Sequence, residues 1–423
     1  MLINNNQIKI PFIKRNDITS FQGLKPSLVE DSFEQLAPKA KRITLKQMVD
    51  EALQKIRSTF NINNNENHSL AAKIEQKRKR NLAIIEKFKL RDLGKVLEEE
   101  AASHYEEVSA EIKAHFRGHA SLIKGRGKSS YSNAAKIANE LASKITEIHE
   151  QLTKRVKKAT AEELIKDFES LHISIEDARK IIKDLLGFKL VLKDASQENA
   201  DKIFTKICDA IKNGLKITAI DNYRGNNSTP YFTDDQVKHI IAHYQHNNPG
   251  AKPIILKTPS TLVTPSGYTT FQMKLVSKDG HFVEFQIRGA WVNELAQVEH
   301  IPYDLREGKS LSHGIDELEE HYAPLKKIVY SMSSAEYEQY NNYLAQMYSY
   351  ARQCELGNKW KTKPELPPNL NQDLSIDKLT ELYKAAEEIK AKYRKTKTGK
   401  VLKVANRSKT PKTFSTNGTS GKE

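Results

Sequence analysis

Three cations and a hydroxyl recur at the spacing RxKxxxSxxxK as Arg126, Lys128, Ser132 and Lys136. With Ser132 opening the helix expected to follow, Lys136 stands one turn in, while Arg126 and Lys128 project from the basic turn GRGKSS. Helix-start amides and convergent cations suit a polyphosphate. The run is not a Walker A loop, because that motif needs glycine five residues before the GK glycine and position 122 is Leu. A solvated basic loop is the plainer reading of such a turn taken alone.

A second set lies on an expected hairpin with Asp279-Gly280 at its turn. Strand side chains alternate, so Val283, Phe285 and Ile287 make an apolar face and Glu284, Gln286 and Arg288 the opposite one. On the partner strand Tyr268, Thr270, Gln272 and Lys274 share a face. Paired, the two sets make either a solvated outer surface or a polar floor suited to metal and nucleotide. Asp184, just before the strand LLGFKLVL, either ends an element or joins Glu284 as a second hard oxygen ligand for Mg2+.

The elements that must position these groups follow from periodicity and turn residues. Strands are expected at 185–192, 215–220, 253–257, 268–277 and 281–288, with a short one at 119–124. Helices fit 44–60, 70–88, 93–116 and a long stretch from 132 towards 170. Helices 196–212, capped by Ser196, and 233–246, with the Thr233/Gln236 capping box, alternate with the strands. Beyond Tyr303 helix returns at 334–356 and 375–392, separated by the turn PELPPN. The cluster Lys77 to Arg80 reads as an exposed helix face. The fold class is α+β, a mixed sheet flanked by helices.

The ordered motifs together resemble the synthetase domain of the RelA/SpoT family, especially its small stand-alone alarmone synthetases. They are Arg126, Lys128, Ser132, Lys136; Asp184, Gly187; Gly267, Tyr268; Glu284, Gln286, Arg288; and Asn293, Glu299, His300. The resemblance covers about residues 119–305 and implies a nucleotidyltransferase-like core that transfers the β,γ-pyrophosphate of ATP to a ribose 3′-hydroxyl, releasing AMP. By similarity Arg126 flanks the adenine, Lys128, Ser132 and Lys136 hold phosphates, and Asp184 and Glu284 bind Mg2+, Glu284 also serving as base. Tyr268 would stack on the acceptor base, with Gln286 and Asn293 completing its pocket. Three features depart from the family: Lys189 replaces the arginine that closes over adenine, Gln272 replaces an acceptor-contacting histidine, and 48 residues separate Lys136 from Asp184. These point towards the toxic branch, which modifies adenine nucleotides or the tRNA 3′ end. A guanine nucleotide, GDP or GTP, remains the first acceptor expected, giving (p)ppGpp; a nucleotide-binding effector without turnover is the alternative from another class. No metal motif of the family's hydrolase domain is visible.

The 423 residues suffice for two or three globular units, and 38% hydrophobic with 29% charged residues fits a folded soluble chain. There is no secretory signal and no apolar run long enough for a membrane span. Cys208 and Cys354 lack CxxC spacing, which points to a reducing, cytoplasmic setting without zinc ribbon or disulfide framework. The net charge of +15 is concentrated: residues 390–423 hold eleven Lys or Arg and one acid. The expected organisation is a helical region 1–92, a synthetase domain 93–310, C-terminal helices 311–389 and a basic, largely disordered tail 390–423. That tail is either solvated or a contact for RNA such as tRNA. An antitoxin or a second copy of the chain is the protein partner such an enzyme would have.

Overall fold

The structure, a computed structural model, describes residues 44–398 apart from 61–69, 155–156, 226–227, 259–262, 314 and 359–361. The first 43 residues and the tail beyond Thr398 lie outside the described residues. The strands are β1 (Ile123–Gly127), β2 (Leu186–Leu192), β3 (Lys216–Tyr223), β4 (Ile255–Thr258), β5 (Thr270–Val276) and β6 (Phe282–Gly289). Helices α1 (Leu45–Phe60), α2 (Leu70–Lys87) and α3 (Leu90–His115) precede β1. Then come α4 (Ser130–Thr153), α5 (Lys158–Glu169), α6 (Ile175–Ile181), α7 (Gln197–Lys212) and α8 (Asp234–Asn247). After the sheet follow α9 (Ala290–Arg306), α10 (Ala323–Tyr330), α11 (Ser334–Glu355) and α12 (Ile376–Thr398).

The six strands form one mixed sheet in the order β1-β2-β6-β5-β3-β4, with β2/β6 and β3/β4 parallel and the other pairs antiparallel. The α+β class is therefore observed. Leu186, Phe188, Leu190 and Leu192 alternate onto one face with Val283, Phe285 and Ile287, all buried. Phe116 of α3 stacks on Phe285 with ring centroids 4.7 Å apart, and Phe232 meets Phe271 edge-on at 4.6 Å. Each such aromatic contributes about 2–3 kcal/mol by leaving water. Helices α1 to α8 line this core. A second core, built from Val292, Ile301, Tyr322, Tyr340 and Tyr348 among others, joins α9 to α12.

Register carries the polar alternates into rows across the strands. One row runs Arg126, Gly187, Glu284, Lys274, and the next runs Lys124, Lys189, Gln286, Gln272, Asp221. The Asp279-Gly280 turn closes the β5/β6 hairpin, with Gly280 at φ +88° and its amide bonded to Ser277 O. Ser196 caps α7, and Thr233 and Gln236 form the capping box of α8.

Several expectations shift. Residues 120–122 form a 3-10 turn, and the strand begins at Ile123 and runs through Arg126 and Gly127, which pair with β2 instead of forming a loop. Ser132 is the third residue of α4, not its first, because Ser129 takes the cap. The stretch from 132 towards 170 is two helices, α4 and α5, since α4 ends at Thr153 with Lys154 extended. The Lys77 to Arg80 face is not solvated: Lys77 pairs with Glu307 at 2.6 Å, Arg78 pairs with Glu75, and only Lys79 of the four is exposed. Helices α1 and α2 contribute Ile56, Phe60, Ile84 and Ile85 to the same core as the sheet, and both contact α4. Helix α12 continues past residue 390, and Lys390 is buried, its Nζ bonded to Leu311 O and paired with Glu387. No helix among the described residues is long and apolar enough to cross a membrane.

Candidate active site

The strand-to-helix elbow between β1 and α4 is narrow because a glycine permits it. A Cβ on Gly125 would fall 2.3 Å from the Phe188 ring, so only glycine lets β1 lie this close to β2 beside Arg126. The Lys128 amide donates to Leu185 O at 3.0 Å, extending the β1/β2 ladder by one residue and setting Lys128 against Asp184. Ser129 Oγ caps α4 by accepting from Ser132 N and donates to Ser132 Oγ at 2.9 Å.

Asp184 receives two ammonium groups, Lys128 Nζ at 2.5 Å on Oδ2 and Lys136 Nζ at 2.6 Å on Oδ1. Burial alone would raise the Asp184 carboxyl, but the two lysines outweigh it and hold it well below the usual carboxylate range. Burial lowers Lys128 to about 8, against the attraction of Asp184 and, more weakly, of Glu284. Each carboxylate proposed from the sequence as a metal ligand thus already has an ammonium partner, Lys128 and Lys136 on Asp184 and Lys274 on Glu284.

The sheet floor beside this elbow is a fixed network. Glu284 accepts from Lys274, from Gln286 Nε2 at 2.7 Å and from Gln272 Nε2 at 3.2 Å. Gln286 Nε2 also donates to Gln272 Oε1 at 3.1 Å, Gln272 reaches the buried Asp221 at 3.4 Å, and Arg288 donates to Gln286 Oε1. Lys189 is half-buried in this floor, and its amine makes no hydrogen bond or ion pair among the described residues. Burial lowers its amine to about 7, and repulsion from Arg288 and Arg126 adds to the effect. Arg126 itself is exposed on the edge strand.

No protein-family model, curated protein or solved structure matches the chain.

The remaining motif residues sit where α9 leaves the sheet. Gly267, at φ +77°, lets α11 approach, since a Cβ there would lie 2.5 Å from Ala345 Cα. Tyr268 precedes β5 and is ringed edge-on by Tyr223, His300 and Tyr348, with the Arg288 guanidinium 5.6 Å over its ring. Burial raises its phenol. His300 is exposed and also contacts Tyr303. Asn293 is buried on the first turn of α9, its Oδ1 without a partner, and Glu299 is buried, which raises its carboxyl. Arg126, Lys128, Ser132, Lys136, Asp184, Gly187, Lys189, Gln272, Glu284 and Gln286 thus belong to one sheet face and its elbow. Tyr268, Arg288 and His300 border it, whereas Asn293 and Glu299 are buried in the α9 layer.

The sequence did not single out what holds α9 in place. Glu355 Oε1 accepts from Val292 N at 2.9 Å, and its Oε2 accepts from Tyr231 Oη at 2.9 Å. Gly289 N donates to Tyr231 Oη at 2.7 Å, and the fully buried Arg352 bonds Ala195 O, Thr229 O and Glu355. A carboxylate at a helix start satisfies amides that otherwise lack partners. Its only trace in the sequence is an Arg/Glu pair three apart near the end of α11.

A divalent ion fits the donor chemistry in part. No group of three His, Cys, Asp or Glu side chains gathers as a preformed metal site among the described residues. Mg2+ commonly takes one or two carboxylates and fills its remaining positions with water and substrate phosphates. Asp184 and Glu284 are two such hard oxygens, and Asp184 is held ionised.

Proposed function

We propose that the chain is an ATP-dependent pyrophosphotransferase with a nucleotidyltransferase-like core of the RelA/SpoT kind. It moves the β,γ-pyrophosphate of ATP to the ribose 3′-hydroxyl of an acceptor nucleotide, GDP or GTP first. The observation that supports this most is the meeting of three chain segments at one point: Lys128 and Lys136 from either side of the α4 start share the carboxylate of Asp184, next to the Glu284 row.

In this reading the triphosphate takes the place of Asp184 as partner of Lys128 and Lys136, with Ser132 beside it at the helix start. Mg2+, carried by Asp184 and Glu284, would supply charge neutralisation to the phosphates. The acceptor 3′-oxygen attacks Pβ, the bond from Pβ to the oxygen bridging it to Pα breaks, and AMP leaves with that oxygen. Glu284 takes the hydroxyl proton; Gln286, Gln272 and Lys274 fix the position of its carboxylate. Most of the catalytic power of such a site comes from positioning and charge neutralisation. Lys189 and Arg126 border the donor, and Tyr268 and Gln272 the acceptor.

A tRNA 3′ end is the second reading, supported by the ten basic residues that follow the buried Lys390 and by Gln272 in place of histidine. Purified protein incubated with ATP labelled in its γ-phosphate and, separately, GDP, GTP, AMP, ADP and deacylated tRNA tests both. Label on GDP or GTP supports the first acceptor, label on tRNA alone replaces it, and no labelled acceptor with ATP still bound supports a binding module.

A further inference from the structure

Beside the α4 start lies a polar cavity of about 340 Å3 lined from α2, α3, α4, α10 and the segment after α9. Arg78, Arg91, Tyr131, Ser310, Lys326 and Tyr330 line it, together with Glu75 and Glu319. Both acids are already engaged. Glu75 binds Arg78 through two bonds of 2.7 and 2.8 Å, and Glu319 takes Lys326 and the hydroxyls of Ser310 and Ser312. Two lining groups are left over: the guanidinium of Arg91, an exposed residue at the start of α3, has no ion pair or hydrogen bond among the described residues, and the Tyr330 hydroxyl is buried with no partner. The cavity is therefore lined by one unpaired, solvent-exposed positive charge and one buried, unsatisfied hydroxyl. Burying such a hydroxyl without a partner costs about 1–3 kcal/mol, which an oxygen-bearing ligand would recover.

We propose that this cavity binds a small phosphoryl anion. Arg91 supplies the charge and a planar pair of donors, Tyr330 Oη supplies a third, and the neighbouring Lys326 and Arg78 keep the local field positive. The volume admits a phosphate or pyrophosphate with its water but leaves little room for a nucleoside triphosphate. The cavity is also joined to the elbow. Tyr131 Oη accepts from Ser310 N at 3.2 Å, and Tyr131 lies between the cap Ser129 and Ser132 in sequence. Ser129 Oγ meets His313 Nδ1 at 3.1 Å, and His313 has a left-handed backbone, φ 57°. An anion that draws on Tyr131 or Ser310 would thus shift the α4 start, so the site is an effector site for the elbow. Binding stands on the cavity alone; the effect on ATP rests on the proposed function.

Inorganic phosphate is the probe, titrated by calorimetry into the full chain and three variants. Lys136→Ala weakens the elbow and leaves the cavity intact, whereas Arg91→Ala and Tyr330→Phe do the reverse. The expected result is that Lys136→Ala retains a saturable phosphate site, which Arg91→Ala weakens at least tenfold and Tyr330→Phe severalfold. Circular dichroism on each variant shows whether the fold is kept. Phosphate binding that survives unchanged in both Arg91→Ala and Tyr330→Phe and disappears in Lys136→Ala overturns the cavity site. Binding lost in Arg91→Ala and untouched in Lys136→Ala instead leaves the cavity standing and removes support from the elbow as a phosphate site.

Discussion

Replacing Asp184 with Asn keeps the shape of the side chain and removes the charge that Lys128 and Lys136 share. Lys128 and Asp184 side chains are 17% and 19% exposed, so their contact is little screened and contributes about 1.5–3 kcal/mol as a charge-assisted bond. Lys136 is 40% exposed, and solvent reduces its share to about 0.5 kcal/mol. Part of the loss is returned because Lys128, already lowered to about 8, can shed its proton when its partner disappears. The net expectation is a destabilisation of about 2 kcal/mol near neutral pH. The Asp184 carboxyl is lowered on folding, so its stabilisation is present above the unfolded carboxylate value and lost as pH falls through the folded one. At the alkaline end the contact fades as Lys128 deprotonates near 8. The gap between wild type and Asp184→Asn is therefore expected to be widest near pH 5, to close as pH falls through the carboxylate range, and to narrow as pH rises towards 8, because the variant's Lys128 gives up its proton before the wild type's does. Urea unfolding followed by circular dichroism across that range measures it. A variant as stable as wild type throughout would refute the idea that one carboxylate organises the elbow.

Lys128→Ala and Lys136→Ala are each expected to weaken ATP binding about tenfold, a loss of about 1.4 kcal/mol, read by calorimetry. At pH 8 Lys128 is near half-protonated and Lys189, at about 7, is mostly neutral, and an arriving polyanion raises both. ATP binding at that pH should therefore take up about one proton, seen as a dependence of the binding heat on buffer ionisation enthalpy. Arg352→Ala leaves Glu355 buried beside Tyr231 without its cation and should cost about 3–5 kcal/mol in unfolding free energy, far more than Lys363→Ala, whose partner Asp377 is exposed. Truncation after Thr398 should leave transfer to GDP within about twofold, while transfer to tRNA, if present, should lose affinity and salt dependence together.

The strands and most helices could be read from the sequence because local chemistry agreed with the fold: alternation in LGFKLVL, Asp-Gly at the hairpin, and Thr233 with Gln236 at the start of α8. The pairing of the β5 and β6 faces into one polar surface was legible from the hairpin. The extension of that surface to Gly187 and Lys189 was not, since the parallel β2/β6 pairing brings together residues about a hundred positions apart. The elbow was misplaced by two or three residues because Gly125 and Gly127 read as turn residues, while in the fold both belong to β1, Gly125 admitting its close approach to β2 and Gly127 lying against Ala101 of α3. Lys77 read as solvated because its acid, Glu307, is 230 positions away. The Glu355 cap of α9 rests on tertiary contact alone, and no local pattern announces it.

Transfer by wild type and by Glu284→Gln, at equal ATP occupancy, tests the central claim most directly. With Mg2+, ATP labelled in its γ-phosphate, and GDP, wild type should yield one AMP for each labelled nucleotide, both transferred phosphates staying joined. Glu284→Gln should transfer at least about a hundredfold more slowly, since it lacks the base and one metal-binding charge but keeps the shape. Label released by wild type only as inorganic phosphate, or transfer by Glu284→Gln at the wild-type rate, would contradict the account.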